Sequence, residues 1–78
     1  MLSTGNQLKA ARALAGLDQV TLAKAANVSP NTISAMESKG AETLTSGLDT
    51  IRAISKALEA AGVEFLNDGQ PGVRLKAK

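Results

Sequence analysis

Catalysis needs a nucleophile, an acid–base pair or a metal, and these 78 residues offer little toward any of them. There is no cysteine and no histidine. That removes thiol nucleophiles, disulfides and the imidazole ligands of an ordinary structural zinc site. The carboxylates Asp18, Asp49, Glu59 and Glu64 fall at helix starts or on solvated faces. No grouping of them supplies a base–nucleophile pair or a metal site, so neither catalysis nor a cofactor is expected. What remains is a polar, nearly uncharged set: Gln19, Pro30, Asn31, Ser34 and Ala35. Its chemistry is recognition. An asparagine carboxamide can pair in bidentate fashion with adenine, and a serine hydroxyl can donate or accept at several bases. Alanine offers only a methyl contact, for instance to thymine. Pro30 can touch a DNA backbone or a base methyl, or simply start a helix. Gln19, at a helix start, can hold a phosphate oxygen together with nearby amides.

Such side chains act together only if rigid elements place them on one face. The spacing predicts helices over about 5–15, 19–26, 30–38 and 48–61, then a hairpin over about 63–66 and 73–76. Thr4 and Gln7 have the spacing of a capping box. Leu8, Ala11 and Ala15 share a face of the first helix, and Gly16 ends it. Asp18 is placed to cap the second helix, where Leu22 and Ala25 or Ala26 point inward. Asn27 suits a left-handed turn residue, and Val28 can pin the turn to the core. Ser29 then caps a third helix with Pro30 at its first position. Ile33 and Met36 share the inward face of that helix, while Asn31, Ser34, Ala35 and Ser38 point elsewhere. A polar link over 39–47 follows. Ile51, Ile54, Leu58 and Ala61 recur at helical spacing before Gly62. Beyond Gly62 the period changes to two: Val63 and Phe65 alternate with Glu64, and Val73 and Leu75 with Arg74 and Lys76. Residues 67–72 read as the connecting loop.

Two short helices joined by a tight turn form a corner whose second helix can enter a major groove. Residues 5–61 resemble the lambda-repressor-like helix-turn-helix family, also called the Cro/repressor or XRE family. The resemblance is carried by Leu17-Asp18-Gln19, Leu22-Ala23, Val28-Ser29, Thr32-Ile33-Ser34 and Glu37. It implies a mainly α fold, a compact four-helix domain, to which the alternation after Gly62 adds a C-terminal β-hairpin, with 1–78 forming a single DNA-binding domain. It implies groove-facing residues at Pro30, Asn31, Ser34 and Ala35 and a phosphate contact at Gln19. It also implies a structural pair, Arg12 with Glu37, tying the first helix to the third. Two departures stand out. The family often carries arginine or glutamine near the position of Ala35, and its members commonly have a fifth helix where this chain turns to a hairpin. The ending, with Gly62-Val63-Glu64-Phe65 before Pro71-Gly72-Val73-Arg74-Leu75, resembles that of small bacterial regulators. These include phage Cro-like repressors, controllers of restriction systems and regulators of mobile elements.

The net charge of +2 excludes a polycationic tail that coats nucleic acid, and it suits a specific binder working as two copies. Double-stranded DNA and a second copy of the chain are therefore the expected partners. Lys39, Thr43, Thr45 and Ser46 are candidate phosphate contacts from the link. Phe65, Val73 and Leu75 either cap the open end of the helical core or pair with their twin across a homodimer seam. Ala35, the low net charge and the apolar hairpin also admit an alternative: a protein-binding antiactivator or antitoxin on the same scaffold. No apolar run approaches the roughly 20 residues that span a bilayer. The amino terminus has no basic and apolar signal pattern, so a cytoplasmic location is expected.

Overall fold

The computed structural model describes residues 2–66, 69 and 71–76. The order is α1 (Gly5–Ala15), α2 (Gln19–Ala26), α3 (Pro30–Glu37), α4 (Leu48–Ala60), β1 (Val63–Leu66) and β2 (Gly72–Leu75). Local chemistry explains most of the boundaries. The Thr4 hydroxyl accepts from the Gln7 amide at 3.1 Å and the Gln7 side chain accepts from the Thr4 amide at 3.1 Å, a reciprocal cap on α1. The Asp18 carboxylate accepts from the Thr21 amide at 2.7 Å at the start of α2. Ser29 Oγ accepts from the Thr32 amide at 3.2 Å over α3, with Pro30 at its first turn. Asn27 ends α2 at φ 58°, the one positive φ among described non-glycine residues. Asparagine tolerates that left-handed geometry better than most side chains.

The ends differ slightly from the sequence expectation. Helix α3 stops at Glu37 rather than residue 38, because Ser38 is its C-cap and turns its hydroxyl back to donate to the Ala35 carbonyl at 2.6 Å. Helix α4 stops at Ala60. Ala61 is its cap and is exposed, so it does not extend the inward row of Ile51, Ile54 and Leu58. Ser55 joins that row instead, buried, its hydroxyl accepting from the Leu2 amide at 3.4 Å. Ala25 is exposed, and Ala23 and Ala26 are the inward alanines of α2. Strand β2 begins one residue early, because Gly72 pairs with Leu66, and it ends at Leu75. Of the expected loop, residues 67, 68 and 70 lie outside the described ones.

The core joins Leu8 and Ala11 of α1, Leu22 of α2, Ile33 and Met36 of α3, Ile51, Ile54 and Leu58 of α4, and Val63 of β1. Leu2 and Leu44, from segments outside the helices, complete it. They are brought in by a short antiparallel bridge between Thr4 and Thr43, in which the Leu44 amide donates to the Ser3 carbonyl at 2.9 Å. The same region packs backbone on backbone. The Asn6 amide donates to the Gly40 carbonyl at 2.8 Å. Gly5 sits so close to α3 that a Cβ there would lie 2.4 Å from the Met36 carbonyl oxygen.

The hairpin closes the open side of the helices. Val63 faces Leu75 and Phe65 faces Val73 in the antiparallel register, and Phe65 and Val73 pack half-buried on the core. Glu64 and Arg74, opposite one another, form an exposed ion pair at 2.6 Å. The buried Gln7 side chain fastens this hairpin to α1. Its Nε2 donates to the carbonyls of Leu66, at 3.3 Å, and Gly72, at 3.2 Å.

Candidate nucleic-acid interface

Helices α2 and α3 meet through Asn27, Val28 and Ser29. The Val28 amide donates to the Ala23 carbonyl at 2.9 Å, and its side chain packs half-buried against the core. The turn is therefore fixed by a backbone bond, a left-handed residue and an apolar anchor. Helix α2 packs on both α3 and α4, and α3 also packs on α1, so the corner is held from outside by α1 and α4.

The buried Ile33 and Met36 orient α3. On its other side Pro30, Asn31, Ser34 and Ala35 are all exposed. The spacing i, i+3 and i+4 from Asn31 to Ser34 and Ala35 sets these three on one face, one turn apart. Neither the Asn31 carboxamide nor the Ser34 hydroxyl bonds to another described residue, whereas the hydroxyls of Thr32 and Ser38 are engaged by Ser29 and by Ala35.

The far end of α3 is tied down by Glu37. Its carboxylate accepts from Arg12 Nε at 2.8 Å and from Arg12 Nη2 at 3.1 Å, a forked pair between α1 and α3. Arg12 Nη1 also donates to the Leu17 carbonyl at 3.1 Å. The Glu37 side chain keeps only 7% of its exposure, so losing its partner would strand a buried carboxylate. The hydrogen bond to Glu37, foremost, raises the Arg12 guanidinium above its ordinary pKa. Asp18 shifts the other way. Hydrogen bonding from the Thr21 amide, first of all, holds its carboxyl below the usual aspartate range.

Gln19, at the first position of α2, is half-buried rather than free in solvent. Its Nε2 donates to Glu37 Oε1 at 3.3 Å, so the Arg12–Glu37 pair reaches α2 as well. One Nε2 hydrogen remains for an incoming acceptor. The spacing of 18 residues between the two partners carries no local signature, and sequence reasoning missed this bond. Lys39, Thr43 and Thr45 are exposed and Ser46 is half-buried along the link that follows α3. Thr43 has its backbone pinned by the bridge to Thr4, while Lys39 donates its amide to the Met36 carbonyl at 3.2 Å. These four are spread along the link between α3 and α4. Of the hairpin residues, Phe65 and Val73 are partly covered by the core, but Leu75 remains 50% exposed.

Among the described residues no cluster of three or more histidines, cysteines or carboxylates could hold a metal ion. No described helix is long and apolar enough to cross a membrane. No curated protein matches the sequence. A family model described as helix-turn-helix matches residues 8–65 of the 78, a span running from within α1 through the α2–turn–α3 corner and α4 into β1. The chain thus belongs to the helix-turn-helix family, whose domain is a non-catalytic DNA-binding module.

Proposed function

We propose that the protein is a sequence-specific transcriptional regulator of the lambda-repressor-like, Cro/repressor or XRE, kind. It acts as a homodimeric repressor or autoregulator that binds an inverted-repeat operator through α3. The observation that carries this reading is the exposed row of Pro30, Asn31, Ser34 and Ala35 on a helix whose opposite face is buried and whose C-terminal end is clamped by Arg12. Gln19 would position the corner on a phosphate, with Lys39, Thr43, Thr45 and Ser46 adding contacts from the link. Two copies about a dyad would set their α3 helices about 34 Å apart, one duplex turn. They would convert two weak half-site contacts into useful affinity. Phe65, Val73 and the half-exposed Leu75 supply the apolar part of the seam.

The test is footprinting of the purified protein on the promoter upstream of its own gene at moderate salt. Two protected half-sites with a common dyad are expected. Binding no tighter than to random duplex would overturn the reading. A second reading, a protein-binding antiactivator or antitoxin, is favoured by the exposed Leu66 and Leu75 of the hairpin. Recovery of one stoichiometric protein partner, with no footprint on DNA, would put it first.

A further inference from the structure

We propose that each α3 reads its half-site by hydrogen bonds at a single base pair, with Asn31 as the reader and adenine as the base. We propose further that the preference for operator over random DNA is therefore independent of salt. The inference rests on the DNA-binding reading above and names the ligand chemistry of that same helix.

Its basis is a count of which polar groups on α3 are already committed. The Thr32 hydroxyl faces Ser29 Oγ at 3.3 Å, and the Ser38 hydroxyl donates to the Ala35 carbonyl at 2.6 Å. The Glu37 carboxylate is engaged by Arg12 and Gln19. Among the described residues this leaves the Asn31 carboxamide and the Ser34 hydroxyl. A hydroxyl rotates to donate or accept, so it selects weakly between bases. A carboxamide presents a donor and an acceptor side by side, which matches the N7 acceptor and N6 donor of adenine. Guanine offers two acceptors on the same edge and would leave the Asn31 carbonyl facing an oxygen or a nitrogen lone pair. Ala35, one turn further along the same face, brings a methyl group suited to a thymine methyl.

Charge decides the salt behaviour. Helix α3 contains no lysine or arginine, and its one charged side chain, Glu37, is paired with Arg12. Contacts from this face to base edges displace no counterions. The salt dependence then comes from phosphate contacts, which random duplex offers equally. Raising salt weakens both complexes by the same factor.

The experiment uses the full chain to select half-sites from a random duplex library. An A·T to G·C exchange is then measured at the most constant adenine, for the unaltered protein and for Asn31→Ala, across 50 to 200 mM salt. The exchange is expected to weaken the unaltered protein by about 5- to 150-fold per half-site and the variant by less than about 2-fold. The ratio of operator to random affinity should hold within about 2-fold while each affinity falls steeply. Selected half-sites with a constant G·C pair and no constant adenine would overturn this inference alone. So would a base preference that survives in Asn31→Ala, or a ratio that falls with salt as steeply as the affinities. Failure to enrich any sequence would overturn it together with the reading it rests on. Should Asn31→Ala prove unfolded, the base exchange and the salt series on the unaltered protein still decide the matter.

Discussion

Gly5→Ala should destabilise the protein, although helix propensity alone argues the reverse. Alanine is favoured over glycine by about 1 kcal/mol in a helix interior, and somewhat less in a first turn such as this one. The new methyl, however, would lie 2.4 Å from the Met36 carbonyl oxygen, 2.9 Å from the Gly40 amide nitrogen and 3.1 Å from the Glu37 carbonyl oxygen. All three are backbone atoms and cannot swing aside as a flexible side chain would. Restoring ordinary non-bonded separations, near 3.5 Å, requires α1 and the end of α3 to part by roughly 1 Å. The Asn6–Gly40 hydrogen bond and the Arg12–Glu37 pair resist that movement. Overpacking typically costs 1–3 kcal/mol, and rigid backbone on three sides puts this site near the top of that range. After the propensity gain, a net loss of about 2 kcal/mol remains. For a domain of this size that is a fall in Tm of about 8–16 °C. Thermal and urea denaturation followed by far-UV circular dichroism would measure it. A variant as stable as the parent, or more so, would refute the close approach of α1 to α3.

Gln7→Glu keeps an oxygen to accept from the Ser3 and Thr4 amides but removes the Nε2 donor to the Leu66 and Gly72 carbonyls. A loss of about 1–3 kcal/mol is expected, with two partly buried hydrogen bonds unmade. Native-state hydrogen exchange should speed up most in β1 and β2, and uniform acceleration across the chain would count against Gln7 as the hairpin's fastener. Asp18 supplies a pH prediction. Because its folded-state carboxyl titrates below the ordinary range, its stabilising effect is complete above the unfolded aspartate pKa, near 3.9. The effect is lost as pH falls through the lower folded value. Asp18→Asn, which keeps a capping oxygen, should match the parent at pH 7 and lose less stability on acidification below about pH 4. Identical acid limbs would exclude Asp18 as a contributor.

What the sequence makes legible here is what is local. Thr4, Asp18 and Ser29 announce helix starts because their partners lie three residues away. Asn27 announces the turn because few other side chains accept its backbone angles. The outward row of α3 follows from the spacing of Ile33 and Met36 on its inward side. Contacts made across the fold left no such trace. Leu2 and Leu44 look like ordinary flanking residues until Ser3 and Leu44 pair, and Gly5 looks like a poor helix former until α3 is laid against it. Gln7 carries a capping signature, yet its Nε2 donates to a hairpin near the other end of the chain. Periodicity also misplaced one core position. It extended the row of α4 to Ala61, whereas the helix has ended there and Ser55 is buried beside Leu2.

The fastening of Gln7 also sets an order in time. Helix α1 is synthesised before the hairpin, but the buried Gln7 carboxamide reaches carbonyls 59 and 65 residues further along the chain. The Leu2 amide waits for Ser55, 53 residues on. At roughly 5–20 residues per second, the interval between Gln7 and Gly72 leaving the peptidyl transferase centre is about 3–13 s. The caps of the α2–turn–α3 corner draw only on neighbouring residues, whereas its packing on α4 waits for residues 48–60. A ribosome-bound chain stalled before Gly72 would then carry the residues of all four helices while the Gln7 carboxamide still lacked the Gly72 carbonyl.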